Sequence, residues 1–391
     1  MEPRILVLDG NQRASLATVR SLGAKKLWVA TGDSTPGSMA GVSRFSRHQI
    51  QYSDPFTSPR EFFEDVLRHV NSLGITFLLP ITEATTYALL AYRDELPSTV
   101  VLPFPSSESV EQLANKNKLF QLAESMEVPV PGTIYCENRQ HGIDALTRVG
   151  RFPVVLKPFK SRILKDDIII STRVVIAKDD AEATEVLESE DFFEEPFTIQ
   201  QYVEGHGRGV FALFNHGKPI CFFAHRRLRE KPPGGGVSVL CESAPVDPVL
   251  QAYSEKLLCH ANWHGVAMVE FRVTEHGEGF LMEVNPRFWG SLQLAIDSGM
   301  DFPWWLYQVS TGQEVSVKQP HFRRVRWVLG DLDRLYLVLK APGHTYSLGR
   351  KLVEIFKFLR PSRYTRHEVN RLGDMRPFWF ELRAYLKALK G

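Results

Sequence analysis

Short apolar runs alternate with amphipathic stretches from the start of the chain. Residues 4–8 are apolar and stop at Asp9-Gly10-Asn11, a helical pattern follows to about Leu22, and residues 27–30 are apolar again, which predicts a β-α-β opening. Apolar segments at 76–80 and 100–102, with a helical pattern over 59–73, continue the alternation expected of a parallel sheet. A first α/β domain is therefore placed at 1–112. Residues 110–127 read as one helix, after which Val128-Pro129-Val130-Pro131-Gly132 enforces an extended exit. Within 113–204, strands at 154–157, 168–176 and 197–201 and a helix at 180–189 make a small α+β unit. Within 205–320 the pattern is strands at 209–214 and 219–224, a glycine-rich 232–236, a helix at 249–262, and two strands joined by Glu275-His276-Gly277. Residues 321–391 read as helical and basic.

The candidate chemistry lies in those last two strands. Glu270 sits in the first; Glu283 and Asn285, two apart in the second, share a face. Three oxygen donors on a hairpin suit Mg²⁺, which accepts few protein carboxylates and completes its octahedron with water and phosphate oxygens. Mn²⁺ is an acceptable substitute. Arg287, two residues further on, can stabilise charge on a transferring phosphoryl group. The alternative, that Glu270 and Glu283 are solvated outward faces, is weakened by their neighbours: Ala267-Met268-Val269 and Phe280-Leu281-Met282 mark buried strands, where a carboxylate wants a cation. Lys157 closes the apolar run Pro153-Val154-Val155-Leu156, and Lys116 lies in Asn115-Lys116-Asn117-Lys118; each is either a surface lysine with a buried stem or half of a polyphosphate clamp.

Taken in order, Asn115-Lys116, Phe152-Pro153-Val154-Val155-Leu156-Lys157-Pro158, Gln200-Gln201-Tyr202-Val203-Glu204-Gly205, the segment 265–271 and Met282-Glu283-Val284-Asn285-Pro286-Arg287 resemble the ATP-grasp superfamily over about residues 1–315. The superfamily includes biotin carboxylase, the large subunit of carbamoyl phosphate synthetase and D-alanine–D-alanine ligase. The resemblance implies α/β and α+β architecture: an N-terminal Rossmann-like domain, a small ATP-grasp subdomain (113–204), a large one with the metal site (205–320), and a helical basic extension (321–391). It implies ATP as co-substrate with Lys116 and Lys157 on its phosphates, and Gln201, Tyr202 and Val203 along adenine. It also makes Glu270, Glu283 and Asn285 the magnesium ligands and Arg287 the residue that steadies the acyl phosphate. The resemblance further makes 226–243, with Arg226, Gly234, Gly235 and Gly236, correspond to the loop between the metal site and the acceptor substrate. The sequence departs from the pattern after Lys157, where many relatives have a glycine-rich loop and this chain has Lys160-Ser161-Arg162-Ile163-Leu164-Lys165-Asp166. The run Asn285-Pro286-Arg287-Phe288-Trp289-Gly290-Ser291 is similar to carboxylate–amine ligases, which implies small-molecule carboxylate and amine substrates. A carboxylating or carboxyphosphate-forming enzyme and a non-catalytic nucleotide-binding protein stay open.

Composition narrows the rest. The chain has 391 residues, enough for two or three domains, and a formal net charge of +2. That total hides sixteen Lys/Arg against six Asp/Glu in residues 321–391, so any attraction to an anionic membrane surface or polymer belongs there. Cys136, Cys221, Cys241 and Cys259 lack paired spacing and read as free thiols in a reducing cytosol. No signal peptide or membrane span is expected, so the location is cytoplasmic, with peripheral membrane attachment through the tail as the variant; a homo-oligomer is compatible with all of this. No nucleic-acid module is evident. A nicotinamide site is disfavoured because Asp9-Gly10-Asn11-Gln12-Arg13-Ala14 lacks the G-x-G-x-x-G spacing.

Overall fold

Strands that read Ile-Leu-Val need cover on both faces, and the opening of this chain builds such a sheet. In the computed structural model, which describes residues 3–389, four parallel strands lie in the order His48–Gln51, Trp28–Asp33, Arg4–Val7, Phe77–Leu79. Ile5, Leu6 and Val7 are fully buried. The helices Arg13–Ala24 and Pro59–Leu73 fall where the pattern put them. Residues 100–102 make a single bridge, Val101 to Phe77. Pro103 and Pro105 lack the N–H groups needed to lengthen that ladder.

The stretch 110–127 is two helices, Ser107–Ala114 and Lys116–Ser125. Asn115 breaks it by accepting, through its side-chain oxygen, from the amides of Asn117 and Lys118, which makes a cap of a residue that the pattern read as mid-helix. The next sheet runs Thr133–Cys136, Phe197–Gln201, Val154–Pro158, Val175–Ala177 and packs with the helices Arg139–Leu146 and Asp180–Ser189 around its own core. The expected strand 168–176 is also two pieces. Ile168–Ser171 pairs with Arg162–Lys165 in a separate hairpin, and Thr172 turns the chain by bonding Lys160 and Ser161 before Val175–Ala177 joins the larger sheet.

Seven strands make the largest sheet: Gly279–Asn285, Gly265–Val273, His206–Asn215, Lys218–Lys231, Val237–Ala244, Arg324–Arg326 and Thr365–His367. Strict alternation splits its two faces. Val210, Ala212, Phe214, Ala267 and Val269 enter one core with the helix Pro248–His260, while Phe211, Leu213, Phe223, Val266 and Met268 enter another, shared with Arg13–Ala24 and Phe302–Ser310. Gly265 begins its strand at φ +100°, where a Cβ would stand 2.5 Å from the Pro103 oxygen, so the sheet comes directly against the N-terminal domain.

The C-terminal region holds the expected helices, Val328–Lys340, Leu348–Leu359 and Arg376–Ala388. It is more than an appendage, because Arg324–Arg326 and Thr365–His367 extend the large sheet. Residues 368–374 then reach back to the first helix. Buried Arg20 donates to the Asp374 carboxylate at 2.9 Å and to the carbonyls of Glu368 and Val369, and Asp374 also accepts from Ser43 and the Arg44 amide. Breaking such a pair strands a buried charge. Asp374→Ala is expected to lose about 3–5 kcal/mol of unfolding free energy in denaturant titration; a loss under about 1 kcal/mol would mean that water replaces the carboxylate at no cost.

Candidate active site

Glu270 and Glu283 stand directly opposite one another on the hairpin Gly265–Val273/Gly279–Asn285. Both carboxylates are partly exposed and share one neighbour: the Asn285 amide donates to Glu283 at 3.1 Å and to Glu270 at 3.4 Å. Their electrostatic fates diverge. Burial and the adjacent Glu283 push the Glu270 carboxyl well above its usual range. Burial acts the same way on Glu283, but the Lys116 ammonium at 3.2 Å, the Asn285 amide and Lys157 outweigh it and hold that carboxyl low.

The lysines come from the other side of the cleft. Lys116 is the first residue of its helix, and its amide donates to the Phe159 oxygen at 2.8 Å, which ties it to the strand that ends in Lys157 and Pro158. Lys116 is 4% exposed and Lys157 7%, so neither is a surface lysine. The Lys157 ammonium lies 3.5 Å from the Met282 sulfur and over the Phe120 ring. With no carboxylate in contact among the described residues, burial pushes it down from 10.5 to about 8. The extended exit closes the gap from below, for the Leu281 amide donates to the Pro129 oxygen.

Arg287 leaves the hairpin and is held at three points: Glu83 at 3.0 Å, Asn285 Oδ1 at 3.2 Å and the Phe288 oxygen. Phe288 and Trp289 are buried beneath it, with Trp289 stacked on Phe211 at 4.1 Å. Ser291 shares a 2.8 Å hydrogen bond with His225, a ring that burial and Arg227 keep neutral by lowering its pKa to about 3. Glu83, Arg227, Glu270, Glu283, Asn285 and Arg287 line a cavity of ≈ 920 Å³ whose opposite wall is Asn11, Asp33 and Thr35, at the carboxyl ends of the parallel strands; Lys116 and Lys157 stand outside that lining, Lys116 in contact with Glu283.

Several expected residues fall elsewhere. Gln201 is exposed at the end of its strand, with Tyr202 and Val203 following, and lies outside that cavity; the Val203 oxygen is fixed by Arg272 of the hairpin at 3.2 Å. Arg226 sits across from Glu242, pairs with it, and faces a different cavity. Alternation puts its neighbour Arg227 on the hairpin side instead, with a guanidinium nitrogen 3.7 Å from Glu270. Gly234, Gly235 and Gly236 all have positive φ and turn Lys218–Lys231 into Val237–Ala244. A Cβ on Gly236 would meet the Lys231 oxygen at 2.3 Å, and of the three only Gly236 lines the large cavity.

The segment after Lys157 is the hairpin Arg162–Lys165/Ile168–Ser171, docked on the N-terminal domain through Ile169 to the Phe56 oxygen and Asp167 to Arg60 and Tyr92. Lys160 is committed to Glu111 and Lys165 to Glu195, so of its basic side chains only Arg162 reaches the cavity. Glu83, Arg227 and His225 were not legible as site residues. The strand that carries the last two extends to Lys231, well past residue 224, and extending its period of two would have placed both on the hairpin side.

The donor set fits a magnesium–polyphosphate complex. No cluster of three or more His, Cys, Asp or Glu side chains with metal-holding geometry exists among the described residues; the hairpin instead offers two carboxylates and, after a half-turn about a soft terminal torsion, the Asn285 oxygen. Lys116, Lys157, Arg227 and Arg287 surround them, and the two arginines have carboxylate partners of their own, Glu230 at 3.3 Å from Arg227 and Glu83 at 3.0 Å from Arg287.

Residues 193–329 match a family model described as ATP-grasp in the biosynthetic pathway with Ter operon. Biotin carboxylase from Campylobacter jejuni superposes with a TM-score of 0.65 at 13% identity, over 82% of this chain and 74% of that one. The chain has the ATP-grasp fold. N5-carboxyaminoimidazole ribonucleotide synthetase from Thermus thermophilus (TM-score 0.61, 16% identity, 82% of this chain and 81% of that chain) shares it. So does L-amino acid ligase from Bacillus licheniformis (TM-score 0.60, 14% identity, 82% and 79%). A search of curated protein sequences finds no match. The resemblance drawn from the ordered motifs thus holds at the level of the ATP-grasp fold, and the four cysteines are free, three of them buried.

Lys157 gives this ATP-grasp cleft a pH signature. Between about pH 8 and 10.5 the unfolded chain keeps a proton that the folded one releases, so stability owed to this group rises with pH across that window and is lowest below pH 8. Lys157→Met is therefore expected to unfold at higher denaturant than the parent at pH 7, by up to about 3 kcal/mol. That advantage should fade toward pH 10.5; a variant no more stable at pH 7 would mean that the cleft fully compensates the buried ammonium.

Proposed function

We propose that this protein is an ATP-dependent ligase that joins a carboxylate to an amine. The observation that carries the reading is the opposed pair Glu270/Glu283, with Lys116 on Glu283 and Lys157 beside Met282 from across the cleft, next to Asn285 and Arg287 in the wall of a ≈ 920 Å³ cavity. In this reading Glu270, Glu283 and Asn285 hold Mg²⁺, which supplies charge neutralisation on the phosphate oxygens. Lys116 and Lys157 take the ATP phosphates, and Gln201, Tyr202 and Val203 flank adenine. The substrate carboxylate oxygen attacks the γ-phosphorus and ADP leaves. The amine nitrogen then attacks the acyl carbon of the resulting acyl phosphate, phosphate leaves, and the amine loses a proton to give the amide.

The chain's own contribution is positioning and electrostatics. Arg287, oriented by Glu83 and fixed to the Phe288 backbone, faces the charge that develops on the acyl group. Arg227 offsets Glu270, and the docked hairpin at 162–171 shields a labile intermediate from water. The family description of residues 193–329 as biosynthetic supports a ligase. Carboxylation chemistry is the nearest relative among reactions, since a similarly folded 2-oxoglutarate carboxylase domain was solved with MgADP and bicarbonate; bicarbonate-dependent ADP release would favour it.

ADP release on a panel of carboxylates and amines tests the reading. Glu283→Ala and Arg287→Ala should each lower kcat by about a hundredfold or more. Turnover equal to the parent in Glu283→Ala and Asn285→Ala would remove the metal-site assignment, and tight MgATP binding without turnover on any substrate would identify a nucleotide-binding protein. That second outcome has its own motive in the hairpin 162–171, which stands where many relatives carry glycines.

For the tail we propose contact with an anionic membrane surface. No helix among the described residues is long and apolar enough to cross a membrane. The helix Leu348–Leu359, however, buries none of its residues, and Leu348, Leu352, Phe356 and Leu359 are each more than half exposed on one side, with Arg350, Lys357 and Arg360 beside them. Replacing Phe356 and Leu359 with serine should cut co-sedimentation with anionic liposomes at least fivefold without changing ADP release; equal pelleting of parent and variant would eliminate this contact.

A further inference from the structure

A second cavity, of ≈ 800 Å³, lies between the outer strands of the large sheet and the helix Leu348–Leu359, on the far side of the sheet's edge from the Glu270/Glu283 hairpin. Its walls are basic to a degree that its own carboxylates do not balance. Asp331, fully buried, serves both Arg229 at 2.8 Å and Arg326 at 2.6 Å. Glu354 serves both Arg334 at 2.7 Å and Lys357 at 2.9 Å. Four cations thus share two anions. Arg360 and Arg363, exposed on the rim, add two charges with no ion pair among the described residues.

The innermost of these groups is the least satisfied. Arg229 is 10% exposed, yet among the described residues its Nε and one terminal nitrogen have no hydrogen-bond partner, and neither has one terminal nitrogen of Arg326; one oxygen of Asp331 is also unpartnered, so three orphan donors face one orphan acceptor in this cluster. Guanidinium donors withdrawn from water this far are costly unless an acceptor meets them. A register shift in the strand pairing between Arg227 and Arg229 separates the two roles of this strand: Arg227 goes to Glu270, and Leu228 and Arg229 go to this cavity.

We propose that this cavity is a binding site for a phosphate-bearing ligand. Several planar guanidinium forks around one space match the many acceptor oxygens of a phosphate group better than the two of a carboxylate. The volume exceeds what orthophosphate fills, and Leu228, Leu240 and Tyr364 give the remaining wall an apolar character. The ligand is thus a phosphate ester or diphosphate with an organic portion. A soluble phosphoester and a lipid headgroup both carry this chemistry. Their difference is where the organic portion goes: into the cavity, or outward along the exposed helix.

Calorimetric titration of the whole chain with inorganic pyrophosphate, run beside co-sedimentation with phosphatidylcholine vesicles containing phosphatidic acid, tests the site. Arg360→Glu/Arg363→Glu should weaken binding at least tenfold in one or both assays. The same change of charge on the last helix, Arg383→Glu/Lys387→Glu, should alter it by less than twofold. Pyrophosphate taken up at the hairpin cleft is common to all three proteins and cancels in the comparison. A loss seen in the titration supports the site with a soluble ligand. A loss confined to vesicles, and larger with phosphatidic acid than with phosphatidylglycerol at equal vesicle charge, supports it with a lipid headgroup. A vesicle loss equal for the two lipids reports the surface contact of the helix Leu348–Leu359 alone and overturns the site. Equal weakening by both double variants would show diffuse attraction to a basic tail and overturn the site. Binding untouched by Arg360→Glu/Arg363→Glu, or no binding in either assay, would overturn it as well.

Discussion

Two carboxylates held face to face on neighbouring strands are the constraint around which this molecule is arranged. Glu270 and Glu283 occupy opposite positions of one hairpin, on the side that faces the N-terminal domain rather than bulk water. Like charges at that separation raise the cost of ionising one of the pair, and only cations make the arrangement tolerable. Each cation arrives from a different element: Lys116 from a helix start, Lys157 from a second sheet, Arg227 from the strand two places along, Arg287 from the turn after the hairpin. Elements distant in sequence are brought together on one electrostatic demand, and the cavity opens between the hairpin and the carboxyl ends of the N-terminal strands.

Rigidity at that gap comes from backbone and buried polar contacts rather than from the charges themselves. Asn115 ends one helix so that the Lys116 amide can reach Phe159, and the Val128-Pro129 exit bonds the hairpin edge at Leu281. At the opposite side, Asp374 and Glu368 return from the C-terminal region to Arg20 and Arg13 of the first helix. The tail therefore fastens the N-terminal domain to the large sheet, and the wall of the cavity depends on residues more than three hundred positions away in sequence. The same tail leaves one helix and one basic cavity unused by that fastening, and there the C-terminal excess of positive charge is concentrated.

Much of the architecture was legible because it follows local periodicity. The parallel opening, the helices Arg13–Ala24 and Pro59–Leu73, and the hairpin with Glu283 and Asn285 on one face all follow from period and turn chemistry alone. Misreadings came where a single residue changed the local rule: Asn115 as a cap, Thr172 as a corner, Pro103 and Pro105 closing a ladder. In the site, Arg226 and Arg227 were indistinguishable in sequence, and the face of the strand separated them.

By itself the sequence determined that a hairpin would carry two carboxylates and an amide, that Lys157 would end an apolar strand, and that positive charge would gather after residue 320. Those are properties of short segments, set by alternation, turns and composition. Only the tertiary structure decided which cation meets which carboxylate: Lys116 with Glu283, Arg227 with Glu270, Glu83 with Arg287. These pairings join residues up to 204 positions apart. Pattern along a chain specifies which face a side chain takes, whereas the distance between two faces is set by how the sheets pack.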